Sequence, residues 1–136
     1  EVLDVNIKGL LNCIAAALVP MRAQGDGQVM ITSSWAGRYN SAAAGVAYGA
    51  AKHATCDIAA QLNMQEGKHG IRATALNPAE VATPLLMKRP GFDASSAARM
   101  IQPADMAASA IYAARMPKNV AVHEITLAPV RGEPGK

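Results

Sequence analysis

The chain has 136 residues, enough for one hydrophobic core and too few for two ordinary domains. With 51% hydrophobic and 17% charged residues it reads as a folded globular chain rather than a disordered one. A net charge of +3, with Lys and Arg scattered and never in a run, carries no nucleic-acid signature.

The first element is an apolar, helix-periodic segment from about Val2 to Gln24, marked by Leu3, Ile7, Leu10, Leu11, Ile14 and Leu18. Pro20 is expected to kink it or loosen its last turn, and Gly25-Asp26-Gly27 to end it. It opens in mid-pattern at Glu1-Val2-Leu3-Asp4-Val5, without a cap, as a truncated chain would. No apolar run is read as long enough to span a membrane, and no charged-then-apolar leader opens the chain. A cytoplasmic placement is therefore expected. Cys13 and Cys56 have no metal-type spacing and read as ordinary reduced cysteines, and no metal is assigned.

Val29 to Thr32 reads as a short buried strand, and Ser33 to Val46, rich in Ser, Gly and Ala, as a loop. A helix follows from about Ala47 to Glu66, closed by Gly67 and Gly70. Ile71 to Leu76 is a second strand, stopped by Asn77-Pro78. Pro84, Pro90 and Gly91 break up the pattern between Thr83 and Ser96, which predicts a loop over 83–100. Pro103-Ala104-Asp105 opens a helix to about Met116, Val122 to Leu127 is a final strand, and 130–136 is a loose tail. The order α-β-α-β-α-β implies an α/β fold with a parallel sheet and right-handed crossovers.

In such a sheet, ligands bind beyond the carboxyl ends of the strands. Ser33-Ser34, the start of the Tyr48 helix and Asn77-Pro78 all fall at that edge. Tyr48 and Lys52 stand four apart, hence on one helix face. A phenol ordinarily titrates near ~10, and a neighbouring ammonium lowers that value, so the pair suits proton exchange with an alcohol near neutral pH.

Ile31-Thr32-Ser33-Ser34-Trp35-Ala36-Gly37, Tyr48-Gly49-Ala50-Ala51-Lys52 and Asn77-Pro78 with Thr83 resemble the second half of a short-chain dehydrogenase/reductase. Val5-Asn6-Ile7-Lys8-Gly9 is similar to the segment that carries that family's asparagine, and the likeness runs to about Pro129. Val122 to Pro129 resembles the NADP-linked 3-hydroxy acid and serine dehydrogenase branch. The resemblance implies the C-terminal half of a Rossmann-type doubly wound sheet, so that 1–136 is a partial cofactor-binding domain without its Gly-rich phosphate turn.

The same resemblance implies that Tyr48 is the general acid/base and that Lys52 lowers its pKa and binds the nicotinamide ribose. Ser34 would polarise the substrate oxygen, with Ser33 as a possible substitute, and Asn6 would bend its helix and hold a proton-relay water. Pro78, Ala79, Val81 and Thr83 would contact an NAD or NADP cofactor, NADP being favoured. The implied partners are a small alcohol or ketone substrate and a second subunit, in a homodimer or homotetramer joined by the Asn6 and Tyr48 helices. The 83–100 segment would be the substrate loop, with Met87 and Met100 near the pocket.

Two departures stand out. Ala79 replaces the usual Gly after Asn-Pro, and Ser34 precedes Tyr48 by 14 residues, one more than the commonest spacing. Without the upstream half the chain itself is expected to be inactive. The rival reading is a non-catalytic interaction module that keeps the sheet and helix interface alone.

Overall fold

The computed structural model describes residues 1–89 and 91–130. A π-helical turn, Asp4–Gly9, leads into α1 (Leu10–Gln24), β1 (Gly27–Thr32), α2 (Val46–Glu66), β2 (Ile71–Pro78), α3 (Pro84–Met87), α4 (Pro103–Ala114) and β3 (Glu124–Leu127). The three strands form one parallel sheet in the order β1-β2-β3, with Gly27 opposite Ile71 and Ala75 opposite Glu124. The expected α/β alternation is therefore present. Helix α1 continues through Pro20 and ends where Gly25 takes φ +67°, a left-handed cap that glycine adopts without a Cβ penalty. Beyond Val130 the expected tail lies outside the described residues.

Strand alternation divides the helices between the two faces. Ile31, Ile71, Ala73 and Ala75 point one way and bury Ile14 and Leu18 of α1 with Cys56, Ala59 and Leu62 of α2. Gln28 and Arg72 point the other way. The Gln28 amide donates to the Ala113 carbonyl of α4 (3.0 Å), and Arg72 donates to the Met116 carbonyl just past it (3.0 Å). Both crossovers step in the same direction across the sheet, yet α2 and α4 lie on opposite faces. They cannot both be right-handed, which corrects the sequence expectation. The long excursion between β2 and α4 permits the exception, since residues 79–102 give the chain enough length to change faces. Its base is pinned by a parallel bridge between Val81 and Ile101.

Side chains also reset the strand boundaries. Asn63 bonds both backbone groups of Ala73, accepting from its N–H at 2.7 Å and donating to its carbonyl at 2.8 Å. That occupies the edge of β2, so β3 starts at Glu124 rather than Val122. At its other end β2 runs through Asn77 and Pro78, which pair with Thr126 and Leu127, instead of stopping before them. By Pro78 the β1 pairing has ended at Leu76, so no partner there needs the missing N–H. The loop expected over 33–46 holds two short 3-10 turns, Trp35–Gly37 and Ala42–Ala44.

One compositional expectation is overturned. Asp4–Gln24 is 21 residues long, with a mean hydropathy of 1.2 in its most apolar window, long and apolar enough to cross a membrane. Leu, Ile and Val spread around the helix supply most of that hydropathy, so it marks no single core face. Ile14 and Leu18 are the buried residues of α1, while Leu11 and Val19 are 46% and 69% exposed.

The two long helices are joined at their far ends by Arg22 and Glu66. Nε and Nη2 of Arg22 donate to the two carboxylate oxygens at 2.8 and 2.6 Å, and the Glu66 side chain is only 7% exposed. The Arg22 hydrogen bonds hold the Glu66 carboxyl below the usual range, against the opposing effect of burial. A depressed folded pKa stabilises the fold above the unfolded value, near ~4.3, and that stability is lost as pH falls through the folded pKa. Glu66→Gln in the full-length protein should therefore lower the urea midpoint at neutral pH and converge on wild type in acid. A midpoint difference constant with pH would contradict the assignment.

Candidate active site

The carboxyl end of the sheet is assembled by tight backbone contacts. Lys52 reaches back from α2 and its ammonium donates to the carbonyl of Thr32, the last residue of β1, at 3.0 Å. The same Nζ lies 5.5 Å from the centroid of the Tyr48 ring, one turn earlier on the helix. Burial pushes the Lys52 ammonium below the ordinary lysine value, partly offset by nearby Cys56. Tyr48 is 36% exposed, so its phenol opens to solvent at the rim rather than into the core.

The two serines separate by strand alternation. Ser33 is 4% exposed; its hydroxyl donates to the Lys52 carbonyl at 3.0 Å and accepts from the Thr55 hydroxyl at 2.8 Å. Ser34 is half-buried, and its oxygen accepts the Ala36 N–H at 3.2 Å as the cap of the Trp35–Gly37 turn. Accepting that bond leaves the Ser34 proton free to donate, whereas Ser33 commits its proton inside the protein. Gly37 lets the turn lie against α2: a Cβ there would sit 2.7 Å from the Lys52 carbonyl oxygen and 2.6 Å from the Ser33 hydroxyl.

Asn6 stands inside the π-turn that packs against α2, and its amide donates to the Val2 carbonyl at 3.0 Å. A π-turn widens the helix by one residue at that point. Pro78 ends β2, and the Ala79 N–H donates to the Leu127 carbonyl at 2.8 Å. Val81 forms the bridge with Ile101, and Thr83 caps α3 by accepting the Leu86 N–H at 3.5 Å. These four line up along one half-buried segment beyond the strand ends. Leu85 and Met87 on α3 are 79% and 50% exposed.

An open groove of about 350 Å3 runs along a different face of α2, lined by Val46, Gly49, Ala50 and His53 together with Tyr39 and Asn40. It excludes Tyr48 and Lys52, so chemistry is better located by the polar contacts than by concavity.

Sequence reasoning missed a polar path beneath the site. The Cys56 thiol lies 3.2 Å from both the Ser33 hydroxyl and the Asn77 side-chain carbonyl, and the Asn77 amide donates to Glu124 at 3.1 Å. Glu124 in turn accepts both Nε (2.8 Å) and Nη2 of Arg38. Arg38 and Glu124 are 86 residues apart, and no local pattern announces their meeting.

The family model described as short chain dehydrogenase matches residues 1–92. The glycine betaine reductase of Emericella nidulans is 39% identical over 96% of this chain, which corresponds to 11% of that protein. An uncharacterized oxidoreductase of Staphylococcus saprophyticus is 36% identical over 94% of the chain, 53% of its own length. The chain thus spans about half the length of that oxidoreductase and a far smaller share of the fungal reductase. Among solved structures, the 3-oxoacyl-acyl-carrier-protein reductase of Brucella melitensis superposes with a TM-score of 0.79 at 28% identity, covering 92% of this chain and 48% of that one. A serine dehydrogenase complexed with NADP+ shares the fold with a TM-score of 0.83 at 24% identity, covering 98% of this chain and 57% of that one.

Proposed function

The chain belongs to the short-chain dehydrogenase family, and on that premise we propose that it is the carboxyl-terminal part of a nicotinamide-dependent oxidoreductase interconverting a secondary alcohol and a ketone. The observation that carries this reading is the Tyr48–Lys52 pair at the strand ends, with its ammonium 5.5 Å from the ring and hydrogen-bonded to the Thr32 carbonyl.

The Tyr48 hydroxyl gives a proton to the ketone oxygen, or takes one from the alcohol. The Lys52 cation favours negative charge on the phenolic oxygen as that proton leaves. Ser34 donates to the substrate oxygen and holds it beside Tyr48, an orienting and electrostatic role. Asn6, in the π-turn against α2, holds the water that returns a proton toward Lys52.

The donor set fits a dinucleotide. One Lys52 hydrogen is used by the Thr32 carbonyl, leaving others for ribose hydroxyls, and Pro78, Ala79, Val81 and Thr83 form a fixed ledge beyond the strands. The bound nicotinamide supplies or accepts the hydride. NADP is proposed over NAD, in keeping with the NADP+ bound to the serine dehydrogenase of the same fold. Turnover is placed in the full-length protein, whose residues outside this chain would supply the phosphate cradle. The exposed apolar side chains of α1 and the groove along α2 are proposed as the subunit contact.

Oxidation of reduced nicotinamide by the full-length protein over a panel of small ketones tests the reading. Ser34→Ala should cut kcat by about 10²-fold or more, as expected for an oxyanion-type donor, with only the modest stability loss of one turn cap. Ser33→Ala should instead lower stability, because it strips partners from Lys52 and Thr55. The reverse pattern would reassign the serine, and no turnover with any ketone would remove the function.

A further inference from the structure

We propose that Glu124 is a positioning residue, clamping the turn that follows Ser34 to the buried end of β2. The inference rests on the oxidoreductase reading above and adds a residue that touches neither substrate nor cofactor in it.

Glu124 opens β3 and receives two partners from distant parts of the chain. Arg38 approaches with a fork: Nε donates to Oε2 at 2.8 Å and Nη2 donates to Oε1. The Asn77 amide donates to the same Oε2 at 3.1 Å, from a residue with no exposed surface. The Asn77 carbonyl oxygen faces the Cys56 thiol, which also neighbours Ser33, and Ser33 holds the carbonyl of Lys52. One continuous polar path thus runs from the surface guanidinium to the helix that carries the Tyr48–Lys52 pair.

Arg38 is also bound into the turn that Ser34 caps. Its N–H donates to the Trp35 carbonyl at 3.0 Å, and Gly37 just before it is pressed on Ser33, Cys56 and the Lys52 carbonyl. A bidentate guanidinium–carboxylate pair fixes direction as well as distance. Holding Arg38 therefore holds the turn, and the turn sets where the Ser34 oxygen stands relative to α2.

The pair is not chiefly a stability device. The Arg38 and Glu124 side chains are 36% and 31% exposed, and ion pairs at such positions contribute little to folding. Displacing a catalytic group by an ångström, by contrast, can cost ~10²-fold in rate. The clamp should therefore be visible in turnover before it is visible in stability.

The test uses the full-length protein with Glu124→Gln, Arg38→Met and the double variant. Cofactor sites are counted by fluorescence titration of reduced nicotinamide, and kcat is expressed per site beside the thermal midpoint. Each single substitution should lower kcat per site by about 10-fold, with cofactor affinity and thermal midpoint near wild type. The double should be no worse than the worse single, because both break one contact. Singles within about 2-fold of wild type, or losses that multiply in the double, would overturn the clamp. If Glu124→Gln fails to fold, Arg38→Met alone decides by the same kcat criterion. Tyr48→Phe in the same assay separates the two readings. A dead Tyr48→Phe with unimpaired clamp variants rejects only the positioning role, whereas a wild-type protein without turnover on any ketone rejects the oxidoreductase reading beneath it.

Discussion

Tyr48→Phe in the full-length protein should abolish ketone reduction while reduced nicotinamide still binds. Removing one hydroxyl deletes the proposed proton donor and little else. General acid–base catalysis contributes about 10²- to 10⁴-fold, so kcat should fall by that range or below detection. The aromatic face toward Lys52 survives in Phe, and the ring is 36% exposed, so no buried cavity or orphaned partner results. Thermal stability and the cofactor titration should match wild type. Turnover within a few fold of wild type would remove Tyr48 from its role, and loss of cofactor binding would make the change structural.

Gly37→Ala should damage both the fold and the reaction. The added methyl would lie 2.6 Å from the Ser33 hydroxyl, 2.7 Å from the Lys52 carbonyl oxygen and 2.9 Å from the Cys56 sulfur. Rotating a side chain cannot relieve a contact with backbone, so the Trp35–Gly37 turn must lift away from α2. Overpacking of this kind costs about 1–3 kcal/mol, and the Ser33 bond to Lys52 is strained with it. Because Ser34 caps the same turn, turnover per folded molecule should fall as well, by about 10²-fold for a shift near an ångström. Gly67→Ala is the matched control, since its Cβ would meet nothing within 4 Å. Urea midpoints and kcat on both variants check the contrast. Equal stability of the two would show that the turn is not held against the helix.

Much of the architecture was legible because it is local. The apolar runs at Val29 and Ile71, each preceded by glycines, identify strands by composition, and the long α2 pattern identifies its own helix. The parallel order follows from the alternation alone. That Ser33-Ser34, the start of α2 and Asn77-Pro78 share one end of the sheet was legible for the same reason, since they follow or end two parallel strands and open the helix between them.

What failed depends on contacts distant in sequence. The face chosen by α4 is set by Gln28 and Arg72 reaching Ala113 and Met116, so the hand of one crossover was invisible. The late start of β3 reflects an amide on another helix, Asn63, occupying the strand edge. Sequence ranked Ser34 over Ser33 by family resemblance alone, and their different partners, the Lys52 carbonyl for Ser33 and a turn N–H for Ser34, were invisible there. Asp4–Gln24 was misjudged on hydropathy because its apolar character is spread around the helix rather than concentrated on a core stripe.

Isotope transfer is the most direct measurement of the central claim. Reduced nicotinamide carrying deuterium at both hydrogen positions of its reactive ring carbon is incubated with the full-length protein and a ketone substrate. The product alcohol should carry deuterium on the former carbonyl carbon with wild type, and Tyr48→Phe should yield none above background. Product formed without deuterium, or labelled equally by both proteins, would contradict a hydride-transferring site in which Tyr48 handles the proton.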